Sequence, residues 1–144
     1  MNVDTNTTTQ AEAVETIVQS ERYLVASIDN TKIAFPAFLV QEIMVFKRSQ
    51  ILQLPFYNQS LRGVVHHQNQ VVPLVSGKTI FFEKADRTGY NDITAVRLNQ
   101  TAENLAGIAI IVDRMVENLS KEELSEERIF QLGDIPPHVW QPRT

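Results

Sequence analysis

The side chains that could do chemistry in this chain are its histidines and its carboxylates. His66 and His67 are adjacent in a stretch that predicts a strand, so their side chains should point to opposite faces and cannot easily bind one metal ion. The sequence has one other histidine, His138, and no cysteine. A thiol nucleophile, a thiolate metal site and a disulfide framework are therefore excluded, and ordinary exposed turn histidines are the simpler interpretation.

The acidic residues are equally unspecific. Glu122, Glu123, Glu126 and Glu127 are best explained as the solvated face of a short helix, with acids near its positive N-terminal end. The segment 86–92 lacks the alternating ligands and terminal Glu of a calcium loop. With neither a glycine-rich phosphate loop nor a nucleophile elbow, an active site would have to be assembled wholly by the fold. We expect no enzymatic activity and no cofactor.

The charge and the apolar runs of the sequence limit the kinds of partner that this protein can bind. The 144 residues carry a net charge of −4, and no basic run is longer than Lys47-Arg48, so we expect no nucleic-acid partner. The longest uninterrupted apolar run, 108–112, is too short to span a bilayer, and the N-terminus lacks the pattern of a secretory signal. The sequence therefore predicts a cytoplasmic protein without direct membrane insertion.

Short strands separated by turn residues dominate the rest of the chain and predict a mainly β fold of small barrels. We expect a flexible arm over residues 1–20 and one folded domain over 21–144. The expected helices are 37–44, from the i, i+4, i+7 spacing of Leu39, Ile43 and Phe46, and 121–128, from a Ser120/Glu123 capping box. The expected strands are 22–28, 32–35, 51–54, a hairpin within 61–75 with an extension over 79–82, 93–98 and 106–112.

The most informative stretch runs from Leu61 to Val75, where two Val-rich runs meet at a short polar turn and predict a hairpin. Gly63 lies near the start of the first run. Pro73 lies inside the second run, and because proline cannot donate to a strand ladder, this strand should lie at a sheet edge or be bulged there. Asn69 suits the turn because asparagine tolerates a left-handed backbone.

Four segments resemble the CheW-like domain, the adaptor family of bacterial chemosensory arrays. They are the opening strand at 23–25, Val40-Gln41-Glu42-Ile43, the hairpin 63–75, and Val112-Asp113-Arg114-Met115-Val116. The resemblance implies a pair of small five-stranded β-barrels with one or two short helices. The family pattern ends in further strands and a helix beyond the region of Arg128, so the resemblance implies an incomplete second barrel, degenerate after about residue 120.

The resemblance also implies a function. The protein would be a non-enzymatic adaptor that couples a methyl-accepting receptor to a CheA-type histidine kinase in chemotaxis, phototaxis or twitching motility. One barrel would dock on the regulatory domain of the kinase, and the groove between the barrels would take the receptor tip. The partner-binding residues would be Val40, Glu42, Ile43, Arg62, Gly63, His67, Gln68 and Asn69. The alternative is a free-standing small β-barrel module, with a peptide or ligand groove, unrelated to chemosensing.

Two departures from the family pattern affect these expectations. The family turn Asn-Leu-Arg-Gly is here His66-His67-Gln68-Asn69, so Gln68 lacks the charge and the bidentate pairing of an arginine. In the position after the proline strand, where the family usually has Asp, this chain has Ser76.

The resemblance places Gly63 near the kinase surface. We therefore expect a large residue at Gly63 to leave the fold intact while weakening kinase binding.

Edge strands are the last expectation. The apolar run 108–112 should be interior, which leaves an exposed edge on 93–98 or on 115–119, each of which contains a charged residue. The tail could add a short strand at 129–132 that gives partial cover. An uncovered edge would permit self-association.

Overall fold

The computed structural model describes residues 21–55, 60–86 and 89–140, without the side chains of His138 and Trp140. The arm expected over 1–20 lies outside these residues. Within them, the chain forms nine strands and an α-helix, α1 (Gly77–Phe82). The strands are β1 (Arg22–Ile28), β2 (Thr31–Pro36), β3 (Val40–Lys47), β4 (Leu61–His67), β5 (Gln70–Ser76), β6 (Asp92–Leu98), β7 (Ala109–Val112), β8 (Arg114–Ser120) and β9 (Arg128–Ile129).

The strands make two curled sheets, which confirms the mainly β, barrel-like fold expected from the sequence. The four-stranded sheet has the order β8-β1-β2-β9, and the five-stranded sheet has the order β3-β6-β7-β5-β4. The β1–β2 turn is formed by Asp29 and Asn30, both with positive φ (53° and 63°). Such left-handed two-residue turns match the twist of an antiparallel pair.

Alternation along the strands divides the buried side chains between two cores. On β6, Ile93 and Ala95 point into the interior of the five-stranded sheet, whereas Val96 and Leu98 point into a core shared with the four-stranded sheet. The shared core is the larger one and also receives Phe130 from the C-terminal tail. A single strand thus supplies both cores because successive residues face opposite sides.

The helix expected at 37–44 is wrong. A 3-10 turn covers Ala37–Leu39, and strand β3 begins at Val40. On β3 the even-numbered positions are buried or half-buried, Met44 fully, and the odd-numbered ones are exposed, which is the period of a strand. The helical spacing was therefore misleading, because β-branched residues and pairing with β6 favour the extended conformation.

Three further expectations need correction. Residues 79–82 do not extend the hairpin but belong to α1, which begins after Ser76 because the Ser76 hydroxyl accepts the Thr79 N–H at 3.2 Å. The helix expected at 121–128 is only a 3-10 turn over Lys121–Glu123, although Glu123 does accept the Ser120 N–H as a capping box requires. The strand expected at 51–54 reduces to a single bridge between Leu52 and Val64.

The position of Pro73 also differs from the expectation, because β5 is an interior strand and β4 is the edge. A bulge does occur, but it lies on β4, where Arg62 is the extra residue. Val64 lies opposite Pro73 but forms its backbone bonds with Leu52 on the other side: its N–H donates to the Leu52 carbonyl, and its carbonyl accepts the Leu52 N–H. The missing proline N–H therefore breaks no bond of the β4–β5 ladder.

The edges of the sheets are partly as expected. Strand β7 is interior, as expected for the apolar run, but β6 is interior too, so the exposed edge at 93–98 is wrong. The other expected edge, at 115–119, is confirmed, since these residues belong to β8, an outer strand of the four-stranded sheet. The other outer strand is β9, two residues of the tail that pair with β2.

Candidate partner-binding site at the hairpin

The hairpin expected from the sequence is present and ends in a two-residue turn. Gln68 and Asn69 connect β4 to β5 with φ values of 49° and 63°. The left-handed conformation expected for Asn69 is confirmed, and Gln68 shares it. Both side chains are exposed, so the turn presents them to solvent.

Four polar side chains meet beside this turn. Glu42 Oε1 lies 2.7 Å from His67 Nε2, and Glu42 Oε2 lies 3.4 Å from Arg97 Nη1. Arg97 Nη2 donates to Gln70 Oε1 at 2.5 Å. We refer to Glu42, His67, Gln70 and Arg97 as the polar cluster. Each carboxylate oxygen of Glu42 therefore has one nitrogen partner, Oε1 from His67 and Oε2 from Arg97.

The polar cluster closes one end of the five-stranded sheet. Glu42 belongs to β3 and His67 to β4, the two outer strands of that sheet, so their contact requires the sheet to curl on itself. Arg97 follows Ile93 and Ala95 at the inward positions of β6, and only 7% of its side chain is exposed. Its Nε has no hydrogen-bond partner among the described residues. A buried guanidinium of this kind depends on its carboxylate partner.

Two members of the polar cluster were not identified from the sequence. Arg97 is a charged residue at a position of β6 where the alternation places apolar, inward-facing side chains such as Ile93 and Ala95. That mismatch could have identified it from the sequence. Gln70 gave no sequence signal, because its role depends on β5 lying beside Arg97 in space.

The other expected partner-binding residues differ in accessibility. Ile43 is 37% exposed on the outer face of β3, while Val40 is half-buried against the shared core. Arg62, at the β4 bulge, donates from Nη1 to the Asp86 carbonyl at 3.3 Å. Of the eight residues, Ile43, Gln68 and Asn69 are therefore the exposed ones.

Gly63 is buried and is a structural requirement. Its φ is +141°, and an added Cβ would lie 2.3 Å from the Leu52 carbonyl oxygen. That close approach is the Leu52–Val64 bridge described above. The expectation that a large residue at Gly63 leaves the fold intact is wrong, because no side chain fits against this backbone.

The Val112–Val116 segment joins the two sheets. The Asp113 N–H donates to the Ser27 carbonyl at 2.9 Å, and Asp113 Oδ2 accepts the Asp29 N–H at 2.8 Å. Lys84 Nζ lies 2.5 Å from Asp29 Oδ2, and this hydrogen bond holds the pKa of Asp29 below its usual range. The carboxylate of Asp113 thus fixes the β1–β2 turn against the end of β7.

An apolar groove of about 290 Å³ lies outside the hairpin. Leu61, Val64 and Pro73 line it from the hairpin, and Ala106 and Ile108 line it from the segment before β7. Leu54 and Asn104 complete the lining, and Leu54 is 38% exposed. The groove can therefore accept an apolar side chain or segment.

The part of the chain that the structure describes contains no group of three or more potential ligands placed to hold a metal ion. Across residues 21–55, 60–86 and 89–140, no helix is long and apolar enough to cross a membrane.

Comparisons with known proteins agree with this architecture. The family model for the CheW-like domain matches residues 22–140. Among solved structures, the scaffolding protein TtCheW from Thermoanaerobacter tengcongensis has the same fold, with a TM-score of 0.54 and 19% identity over 72% of this chain and 67% of that chain. No curated protein matched the sequence. Because the family model covers most of the chain and both sheets, this protein belongs to the CheW-like domain family of non-catalytic chemotaxis scaffolds.

Proposed function

We propose that this protein couples a methyl-accepting receptor to a CheA-type histidine kinase in the cytoplasm. The observation that carries the proposal is the family match over 22–140, which includes the hairpin and both sheets. The described residues offer an exposed turn and an apolar groove, which are surfaces for binding proteins. The coupling is passive, since the adaptor only holds its two partners in place.

The kinase surface is the end of the five-stranded sheet that carries the hairpin turn. Gln68 and Asn69 project from the turn, and Ile43 lies exposed on β3. Val45, two residues further along the same face of β3, is 68% exposed and continues the apolar stripe. A small apolar stripe beside polar turn residues is the composition expected of a docking surface with a polar rim.

The receptor surface is the apolar groove. It lies between the hairpin and the segment that precedes β7, and two of its residues, Leu61 and Ile108, also belong to the core shared by the two sheets. Its lining comes from the five-stranded sheet and the segments next to it, so we propose it as the receptor site in place of the expected groove between the barrels. Leu54 at its rim would contact an apolar segment of the receptor.

Binding measurements with purified partners test the proposal. Calorimetry with the regulatory domain of a CheA-type kinase should show binding that Ile43→Asp weakens by at least about tenfold, because a charge would enter an apolar contact. Val116→Asp is the matched control, since Val116 is 38% exposed but lies on β8 of the other sheet. Leu54→Asp should reduce receptor binding and leave kinase binding unchanged.

Equal effects of Ile43→Asp and Val116→Asp would place the kinase surface elsewhere. A wild-type protein that binds neither a kinase regulatory domain nor a receptor would contradict the coupling function. It would favour the free-standing binding module instead.

A further inference from the structure

The turn that carries Gln68 and Asn69 extends beyond its neighbouring strands. Strand β5 pairs with β7 only from Leu74 onward, and Leu52 bridges β4 only at Val64. Among the described residues, the hairpin between Val65 and Val72 therefore has no backbone partner besides its own two strands. Val65 and Val72 bury their side chains in the core of the five-stranded sheet, whereas residues 66–71 are exposed or half-buried and need other contacts to hold one position.

The polar cluster supplies those contacts on both sides of the turn. His67 and Gln70 are the last register pair before the turn, and each bonds to a different member of the Glu42–Arg97 pair. Glu42 and Arg97 are themselves register partners on β3 and β6. Both ends of the turn are thus tied to the opposite side of the curled sheet through one ion pair.

We infer that Arg97 and Glu42 are positioning residues, which fix the hairpin turn and thereby set the affinity for the kinase without Arg97 touching it. This inference rests on the proposed function. The Arg97 side chain is 7% exposed, so it is not available as a contact, whereas Gln68 and Asn69 are. Arginine suits this role because its planar fork donates to the Glu42 carboxylate and the Gln70 amide at once.

Hydrogen exchange of the free protein tests the positioning role directly. Arg97→Gln should accelerate exchange of the amides between His66 and Val71 by about tenfold or more, because Gln70 loses its bond and Glu42, which holds His67, loses its ion-pair partner. Gln70→Met removes a single tie at an exposed position and keeps both charges, so it should fold normally and give a smaller acceleration confined to the same amides. Arg97→Lys keeps the charge but loses the planar two-donor geometry, so its exchange rates should lie between those of wild type and Arg97→Gln.

An exposed ion pair on the same two strands provides the matched control. Lys47 Nζ and Asp92 Oδ1 are 2.6 Å apart, join β3 to β6 as Glu42 and Arg97 do, and are each 63% exposed. Asp92→Asn should leave exchange in the hairpin turn within about twofold of wild type, since exposed pairs contribute little.

Calorimetry with the kinase regulatory domain then gives the second measurement. Affinity should fall in the order wild type, Arg97→Lys, Arg97→Gln, with Asp92→Asn equal to wild type. Unchanged exchange in Arg97→Gln and Gln70→Met would overturn the inference, and so would faster exchange with unchanged affinity. If the wild-type protein does not bind the kinase, the proposed function fails, while the exchange data still decide whether the polar cluster holds the turn.

Discussion

Phe35 and Phe130 pack with their ring centroids 5.1 Å apart, although one lies on β2 and the other in the C-terminal tail. Phe130 is 1% exposed and also meets Phe81 of α1 edge-on, with centroids 6.2 Å apart. Ile135 and Val139 follow it into the shared core. The tail is therefore an integral part of the core, and not merely a cover for a sheet edge.

Phe130→Ala should lower the free energy of unfolding by about 3–5 kcal/mol, because it removes a fully buried ring and leaves a cavity between β2 and α1. Urea unfolding followed by fluorescence or circular dichroism would measure the loss. Ile129→Ala is the control, since Ile129 is 40% exposed and should cost much less. Similar losses for the two variants would contradict the packing described here.

Deletion of residues 129–144 should produce aggregation, because the shared core loses Phe130, Ile135 and Val139 together. The sequence led us to expect the same result from an uncovered strand edge. The structure keeps that cause as a second one, because the deletion removes Ile129 and so uncovers the edge of β2, whereas the other edge, β8, has a bulge at Val116 and charged residues that discourage pairing.

Light scattering during size exclusion would detect the aggregated fraction of the truncated chain, and thermal unfolding would show whether its core is lost. A truncated chain that stays monomeric with wild-type stability would show that the tail does not stabilise the core. Loss of monomer at unchanged stability would instead support the edge explanation.

The sequence predicted the parts of the fold that depend on local backbone chemistry. The Asp29-Asn30 turn and the left-handed Asn69 could be identified because few residue types tolerate positive φ, whereas the left-handed Gln68 gave no such signal. The buried run at β7 could be identified from its uninterrupted apolar residues. These features need no knowledge of what packs against them.

The features that depend on tertiary contacts could not be predicted in the same way. Strand β3 has helical spacing of apolar residues, and only its pairing with β6 settles it as a strand. The polar cluster unites residues from four strands, and the sequence indicated its Glu42 and His67 only through the family resemblance. Arg97 and Gln70 required the three-dimensional arrangement.

Gly63→Ala should destabilise the protein by at least about 1–3 kcal/mol, because the added Cβ meets the Leu52 carbonyl and the backbone has a positive φ. Gly133→Ala is the control, since an added Cβ there meets no atom within 4 Å. Thermal unfolding of the two variants would compare them. A Gly63→Ala protein as stable as Gly133→Ala would show that the Leu52–Val64 bridge can move aside.

Acid pH should weaken the junction of the two sheets at Asp29. The hydrogen bond from Lys84 lowers the pKa of Asp29 in the folded protein. A lowered folded-state pKa gives stability that is present above the unfolded-state value of about 3.9 and is lost as pH falls through the folded-state value. Lys84→Met should therefore be less stable than wild type near pH 7, with the difference shrinking below about pH 4. Glu83→Gln is a neighbouring exposed control, and a difference independent of pH would exclude the Asp29 charge as its cause.

Gln68→Arg should strengthen binding to a CheA-type regulatory domain at low salt, if the turn contacts the kinase as proposed. Gln68 is exposed at the tip of the hairpin, so it can be replaced by arginine, which is also long and polar, without disturbing the turn. The arginine adds a charge that can pair with a carboxylate through two hydrogen bonds. The gain should reach up to about fivefold, as expected for a pair at a solvated rim, and should shrink as salt screens it. Calorimetry at two salt concentrations would measure both effects.

Gln100→Arg is the control for this prediction. It adds the same charge at an exposed position outside the hairpin, and so separates a local ion pair from the change in net charge. Because Gln68→Arg leaves Glu42, His67, Gln70 and Arg97 in place, hydrogen exchange in the turn should stay at its wild-type rate. An equal gain in both variants, or a gain that does not depend on salt, would show that position 68 makes no specific ion pair with the kinase.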